Sequence, residues 1–176
     1  MLYPPNILFF GLLPFKAAYN YSVVAHFILA GFSTYIFSRK IGQDEWGALI
    51  ASILFCFGSV FAGCFINIAS LKALSWFPLF LFMFEKYLDD KNIGRIFLMG
   101  VIAGMQFLAG SFQMAFYSIV FYLIYFVSRS KWSMGNLLLL SRNFIYIISI
   151  AFLIALPQFI ATHQLAAFSS RPDFTV

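Results

Sequence analysis

Long apolar runs, separated by short polar or charged stretches, extend over almost the whole chain. A helix of about 20 apolar residues crosses a bilayer, and somewhat shorter runs also qualify. Six runs approach this length: residues 18–38, 48–65, 74–88, 93–109, 114–127 and 144–160. Pro78 lies near the start of the third run, where it should kink or cap the helix. The pattern predicts an all-α, polytopic transmembrane bundle of about six spans.

The fourth and fifth runs meet at a short polar tip. Gly110, Ser111, Phe112 and Gln113 are the residues that separate them, and Gln106 precedes the tip by one helical turn. Polar residues are common at the ends of membrane helices. The tip is therefore either the plain turn of a helical hairpin or part of the floor of a pocket.

The first 17 residues form a separate segment, because prolines interrupt their apolar run. Pro4, Pro5 and Pro14 make a continuous helix unfavourable, and residues 7–15 are too few to span a bilayer. We expect residues 1–17 to form an external interfacial or re-entrant segment. Residues 18–160 then form the six-helix transmembrane domain, and we expect residues 161–176 to form an external tail that leads to a missing C-terminal part.

The composition independently indicates a membrane protein. The chain is 62% hydrophobic and 10% charged, with a mean hydropathy of +0.91, whereas soluble domains carry roughly 25% charged residues. The net charge of +5 is spread through short loops without a basic face, which argues against a nucleic-acid partner. Cys56 and Cys64 belong to no cluster of metal-ligand residues, so the sequence predicts neither a metal site nor a cofactor.

The lysines and arginines predict an orientation in the membrane. With Arg39-Lys40 placed in the cytoplasm, eight basic residues fall on that side, whereas Lys16, Lys72 and Arg171 fall on the other. Both ends of the chain are then extracytoplasmic, which is uncommon without a signal peptide. We expect that an upstream span is missing and that the chain is a fragment of a bacterial plasma-membrane protein.

Several polar side chains could converge on one cavity at the outer face. The candidate substrate-binding residues there are Asn67, Lys72, Gln106, Ser111, Gln113, Gln158, His163, Gln164 and Arg171. His26 lies within the first span, where an ionisable group is often functional, although a neutral imidazole can also bond to a neighbouring helix.

The chemistry of this set suits a ligand with phosphate and hydroxyl groups. Lys72 and Arg171 can hold a phosphate, and the amides can both donate to and accept from sugar hydroxyls. Asp173 is the sole acid on the predicted outer side, so the sequence assigns no catalytic residue. The Asp89-Asp90 pair lies among basic residues and is interpreted as part of a solvated loop.

Five segments together resemble the bacterial YfhO-type multipass membrane protein family, which is similar to the GT-C glycosyltransferases. They occur in order as YPPNILFFGLLP (3–14), HFILAGFSTYIFSRKIG (26–42), LKALSWFPLFLFMFEKYL (71–88), QFLAGSFQMAFYSIVFYL (106–123) and ALPQFIATHQLAAFSSR (155–171). The resemblance covers nearly the whole chain. In that family a span and an external loop with an acidic residue precede the YPPN segment.

The resemblance implies transfer of a sugar from a polyprenyl-phosphate donor to a cell-envelope polymer outside the membrane. The family pattern is kept at His26, Trp76, Pro78, Gln106, Gly110, Gln113 and Gln158. The chain departs from it at Asn67 and Ser111, where relatives often have His, and at Gln164, where Glu is frequent. Membrane lipids are the other expected partners.

Two further functions fit the same sequence. A lipid-linked sugar flippase would use the same cavity and would not need an external carboxylate, and a histidine within the membrane at position 26 favours it. An inactive truncated membrane protein is the third interpretation, because the expected external acid is absent from the chain.

Overall fold

The structure is a computed structural model that describes residues 2–64, 67–129 and 134–168. All regular secondary structure in these ranges is helical, as the sequence predicts. The helices are α1 (Pro4–Leu12), α2 (Phe15–Lys40), α3 (Glu45–Phe57), α4 (Ser59–Gly63), α5 (Ile68–Ser75), α6 (Phe77–Asp90), α7 (Ile93–Leu108), α8 (Phe112–Arg129) and α9 (Met134–Phe168).

Four helical segments in the described ranges are long and apolar enough to cross a membrane. They are Phe15–Lys40, Ile68–Asp90, which joins α5 to α6, Phe112–Arg129 and Leu138–Leu165. The apolar helices Glu45–Phe57 and Ile93–Leu108 are shorter, about 20 and 24 Å at 1.5 Å per residue. The described part of the chain is thus all-helical, with four candidate membrane spans, and the count of six stays a prediction.

The second predicted span is interrupted within the apolar run 48–65. Gly58 adopts an extended conformation and separates α3 from α4. A side chain at this position would collide with the carbonyl oxygen of Leu54, so glycine allows a bend that other residues would resist. The third predicted span also has a local break, at Trp76, and Pro78 sits in the first turn of the helix that follows. This agrees with the expected effect of that proline.

Charged residues gather at one end of the bundle, here called the ionic end. Lys40 at the end of α2 pairs with Asp89 of α6, and Arg129 at the end of α8 contacts buried Glu85 at 2.7 Å. The helices α3, α7 and α9 begin at this end, whereas α2, α6 and α8 finish there. The helix directions therefore alternate, as in a chain that crosses a membrane repeatedly. Asn67, Gln106, Ser111 and Gln158 lie at the opposite end of the bundle, here called the amide end.

Glycines allow α7 to approach α9 closely. An added Cβ at Gly100 would lie 2.7 Å from Ile150, and one at Gly104 would lie 2.9 Å from Ile154. Small residues spaced four apart are common at contacts between membrane helices, because they let the backbones approach. This contact holds the C-terminal part of α9 beside the tip that joins α7 to α8.

The N-terminal helix α1 runs antiparallel to the first part of α2. Phe10 near the end of α1 contacts Phe15 at the start of α2, whereas Tyr3 before α1 contacts His26. His26 lies about 16 Å along the axis from the start of α2. Pro4 and Pro5 occupy the first turn of α1, where their missing N–H groups leave fewer donors to satisfy in an apolar setting.

Candidate functional site

A chain of hydrogen bonds connects α1 to α2 and α5–α6 through Tyr3. Trp76 Nε1 donates to the Tyr3 hydroxyl at 2.8 Å, and that hydroxyl lies 2.6 Å from His26 Nε2. His26 Nδ1 lies 2.6 Å from the Ser22 carbonyl oxygen, which can only accept. Nδ1 therefore carries the proton, and Nε2 of the neutral ring accepts from Tyr3. Burial raises the pKa of the Tyr3 phenol, so its hydroxyl remains available as a donor.

Lys72 is buried beside the first turn of α1. Lys72 as a whole is 4% exposed, and its Nζ donates to Asn6 Oδ1 at 2.6 Å. The same Nζ lies 5.8 Å from the centroid of the Phe10 ring. Within the described residues, none of the ion pairs includes Lys72. An ammonium group has three donors, and the Asn6 oxygen uses one of them. The lysine is a buried cation with a neutral partner.

Gln106 lies in the interior, between α5, α7 and α8. Its Nε2 donates to the Ala73 carbonyl oxygen at 3.0 Å and to Ser118 Oγ at 3.1 Å, and its Oε1 accepts from the Tyr122 hydroxyl at 3.0 Å. The residue is 1% exposed. Both donors of its amide group are used inside the protein, so Gln106 ties three helices together at the amide end.

The polar residues around the helix starts are local caps and links. Asn67 is exposed and caps α5 by accepting from the Ala69 N–H at 3.2 Å. Ser111 Oγ lies 3.0 Å from Ser70 Oγ, which fastens the tip between α7 and α8 to α5. Gln113 is exposed and donates to the Tyr117 hydroxyl one turn along α8.

Gln158 links α9 to the start of the chain. Its Oε1 accepts from the Leu2 N–H at 3.2 Å, and its Nε2 lies 3.5 Å from Thr162 Oγ1. His163 and Gln164 follow on the same helix and are exposed. The expected tail therefore begins as a continuation of α9 up to Phe168. Arg171 lies outside the described residues.

A cavity of about 380 Å³ opens between α9 and the tip that joins α7 to α8. It is called the tip cavity below. Its lining residues are Phe107, Gly110, Phe112, Ala155, Gln158, Phe159 and Thr162. A second, apolar cleft of about 470 Å³ lies between the α3–α4 break and α8 and includes Leu54, Phe61 and Phe121 in its lining.

The structure brings His26, Lys72 and Gln158 together through the five residues of segment 2–6. The sequence alone predicts no role for Tyr3 or Asn6, although both contact these candidates. The sequence feature that could have indicated these contacts is the polar Asn6, which follows two prolines in an otherwise apolar run. Asn67, Gln113, His163 and Gln164 stay at the exposed rim of the amide end.

Comparison of the chain with protein-family models, with curated proteins and with solved structures finds no match.

Proposed function

We propose that the chain is part of a six-span, GT-C-like membrane glycosyltransferase that transfers a sugar from a polyprenyl-phosphate donor to a cell-envelope acceptor. The resemblance to the YfhO-type family suggests this activity. The observation that supports it best is the burial of the Lys72 ammonium with a neutral partner at the amide end.

A buried charge is costly unless an opposite charge or a set of hydrogen bonds compensates it. Lys72 has Asn6 Oδ1 and the face of Phe10 for this purpose, and two of its N–H donors are not used by Asn6. A phosphate that reached Nζ would supply the missing negative charge and accept from these donors. Lys72 would then stabilise the lipid phosphate as the sugar leaves, and Arg171 is the proposed second cation.

In this proposal, the lysines and arginines determine which end of the bundle faces the cytoplasm. The ionic end faces the cytoplasm of a bacterium, because most of the lysines and arginines lie there. The amide end and both ends of the chain then face outward, where a cell-envelope acceptor is available.

The general base of the reaction is not assigned to a described residue. All five acids in the described ranges lie at the ionic end, at Asp44, Glu45, Glu85, Asp89 and Asp90. This distribution favours the second candidate function, a lipid-linked sugar flippase. A flippase moves its ligand between leaflets without deprotonating an acceptor.

A reconstitution experiment distinguishes these functions. The chain is placed in liposomes with radiolabelled polyprenyl-phosphate hexoses, and three quantities are measured: donor binding, transfer of label to an added polymer acceptor, and movement of label between leaflets. Transfer supports the glycosyltransferase, and movement between leaflets without transfer supports the flippase.

A pair of lysine variants tests the residue that carries the proposal. Lys72→Ala should weaken donor binding about tenfold or more, because a buried charged contact to phosphate is lost. Lys16→Ala is the matched control, since Lys16 is an exposed lysine at the start of α2. Unchanged donor binding in Lys72→Ala would contradict the proposed role.

A further inference from the structure

We infer that the tip cavity is the subsite for the sugar of the lipid-linked donor. The inference rests on the proposed function and adds to it the place where the sugar is recognised. Three features of the cavity carry it: its aromatic lining, the unused hydrogen-bonding capacity of Gln158, and its connection to Lys72.

Three phenylalanine rings form the aromatic part of the lining. The Phe107 and Phe112 centroids lie 5.8 Å apart, and the Phe159 centroid lies 6.0 Å from the first and 6.1 Å from the second. Such a cluster presents C–H edges and ring faces in one place. Ligand sites typically combine an apolar or aromatic lining with a few polar groups that set orientation, which is the composition seen here.

Gln158 supplies the polar groups of the cavity. Its Oε1 has two lone pairs and accepts from Leu2 N–H, so one acceptor position remains. One N–H of its Nε2 faces Thr162 Oγ1 at 3.5 Å, a long contact, and the other has no acceptor among the described residues. The Thr162 hydroxyl itself donates to the backbone carbonyl oxygen of Gln158 at 2.8 Å and can still accept a hydrogen bond. A sugar hydroxyl, which donates and accepts, matches this pair.

The cavity and Lys72 contact the two ends of one short segment. Leu2 N–H binds Gln158 in the lining of the cavity, and Asn6 Oδ1 binds Lys72 Nζ. Between these contacts, Tyr3 packs in a cluster with Ala73, Leu108 and Ala109. Segment 2–6 thus bonds to the lysine of the proposed phosphate site at one end and to a lining residue of the tip cavity at the other. In this proposal, the phosphate and the sugar of one donor bind near the two ends of that segment.

The test compares lipids that differ in the sugar alone. Binding to the full chain in nanodiscs is measured for polyprenyl phosphate and for its glucosyl, galactosyl, mannosyl and N-acetylglucosaminyl derivatives. We expect at least one derivative to bind about tenfold more tightly than the bare phosphate. Gln158→Met and Phe112→Ala should each reduce that preference to about threefold or less. Phe112→Ala leaves the bond between Leu2 and Gln158 in place, so its affinity for the bare phosphate should be unchanged.

Phe116→Ala is the matched control. Phe116 lies one turn after Phe112 on α8, is similarly exposed, and does not line the tip cavity. This variant should retain the full preference for the glycosylated lipid. A preference that survives in both Gln158→Met and Phe112→Ala would overturn the sugar subsite.

Two wild-type results separate the subsite from the proposed function. Equal binding of the bare phosphate and all four derivatives would overturn the sugar subsite and leave the phosphate role of Lys72 in place. Absence of binding to every one of these lipids would overturn the proposed function and the subsite together.

Discussion

Tyr3 and His26 are joined by a 2.6 Å hydrogen bond between the phenolic oxygen and Nε2, and this bond secures α1 against α2. The Tyr3 hydroxyl also accepts from Trp76 Nε1, so one oxygen atom joins three parts of the chain. All of these partners are wholly or partly buried. The loss of the hydroxyl would leave a donor on Trp76 and an acceptor on His26 without partners.

Tyr3→Phe should therefore lower the free energy of unfolding by about 1–3 kcal/mol, the usual cost of unpaired buried polar groups. Unfolding in mixed micelles measures the effect. Tyr19→Phe is the matched control, because Tyr19 is an exposed tyrosine on α2, and it should change stability by less than about 0.5 kcal/mol. Equal effects of the two substitutions would contradict the role of the Tyr3 hydroxyl.

Gly100→Ala should weaken the contact between α7 and α9. The new methyl group would lie 2.7 Å from Ile150, so the helices must separate, at a cost of about 1–3 kcal/mol. Gly11→Ala is the control, since no atom lies within 4 Å of a Cβ at that position in α1. Gly104→Ala should weaken the same contact, because its methyl group would lie 2.9 Å from Ile154. The same unfolding measurement checks both variants, and losses no larger than that of Gly11→Ala would contradict the close approach of α7 and α9.

Arg129→Ala should destabilise the protein more than Glu85→Gln does. Glu85 is buried and accepts from Arg129 and Tyr125, whereas the Arg129 side chain is half exposed. Removal of the arginine leaves a buried carboxylate without its ion-pair partner and with the Tyr125 hydroxyl as its remaining donor, while removal of the carboxylate charge leaves an arginine that water can reach. We expect a difference of about 1–2 kcal/mol between the variants.

Arg95→Ala is the control for that comparison, because water reaches its pair with Asp90 and screens the two charges, so its effect should be smaller than that of Arg129→Ala. A larger loss in Glu85→Gln than in Arg129→Ala would contradict the explanation by buried charge.

Gly110→Ala should destabilise the tip between α7 and α8. Gly110 has a φ of +91°, and a side chain in this conformation costs about 1–2 kcal/mol. Gly110→Asn should cost less, because asparagine tolerates left-handed conformations better than alanine does. Thermal unfolding of the two variants checks this order, and equal losses would indicate a steric cause instead of backbone strain.

The periodic parts of the fold were predictable from the sequence. The runs 93–109 and 114–127 correspond to α7 (Ile93–Leu108) and α8 (Phe112–Arg129), because an apolar run bounded by a glycine turn leaves few alternatives. The break at Gly58 was not predicted. A glycine in an apolar run is equally compatible with a continuous helix, and the outcome depends on packing around it.

The arrangement of the candidate site was only partly predictable. The sequence identified Lys72 and Gln158 as polar residues near helix ends. Their partners Asn6 and Leu2 are distant in sequence, and the two hydrogen bonds hold segment 2–6 in place. Such contacts depend on how α1 folds back along α2, and no local periodicity encodes that course.

The short length of α3 has a consequence for the surrounding lipid. Leu49, Ile53, Leu54 and Phe57 are exposed along a helix of about 20 Å, whereas a bilayer has a hydrocarbon core of about 30 Å. A hydrophobic surface shorter than this core is accommodated when the bilayer thins beside it. Lipid tails next to α3 should therefore be compressed, and the apolar cleft beside its end would lie next to this thinned part of the bilayer.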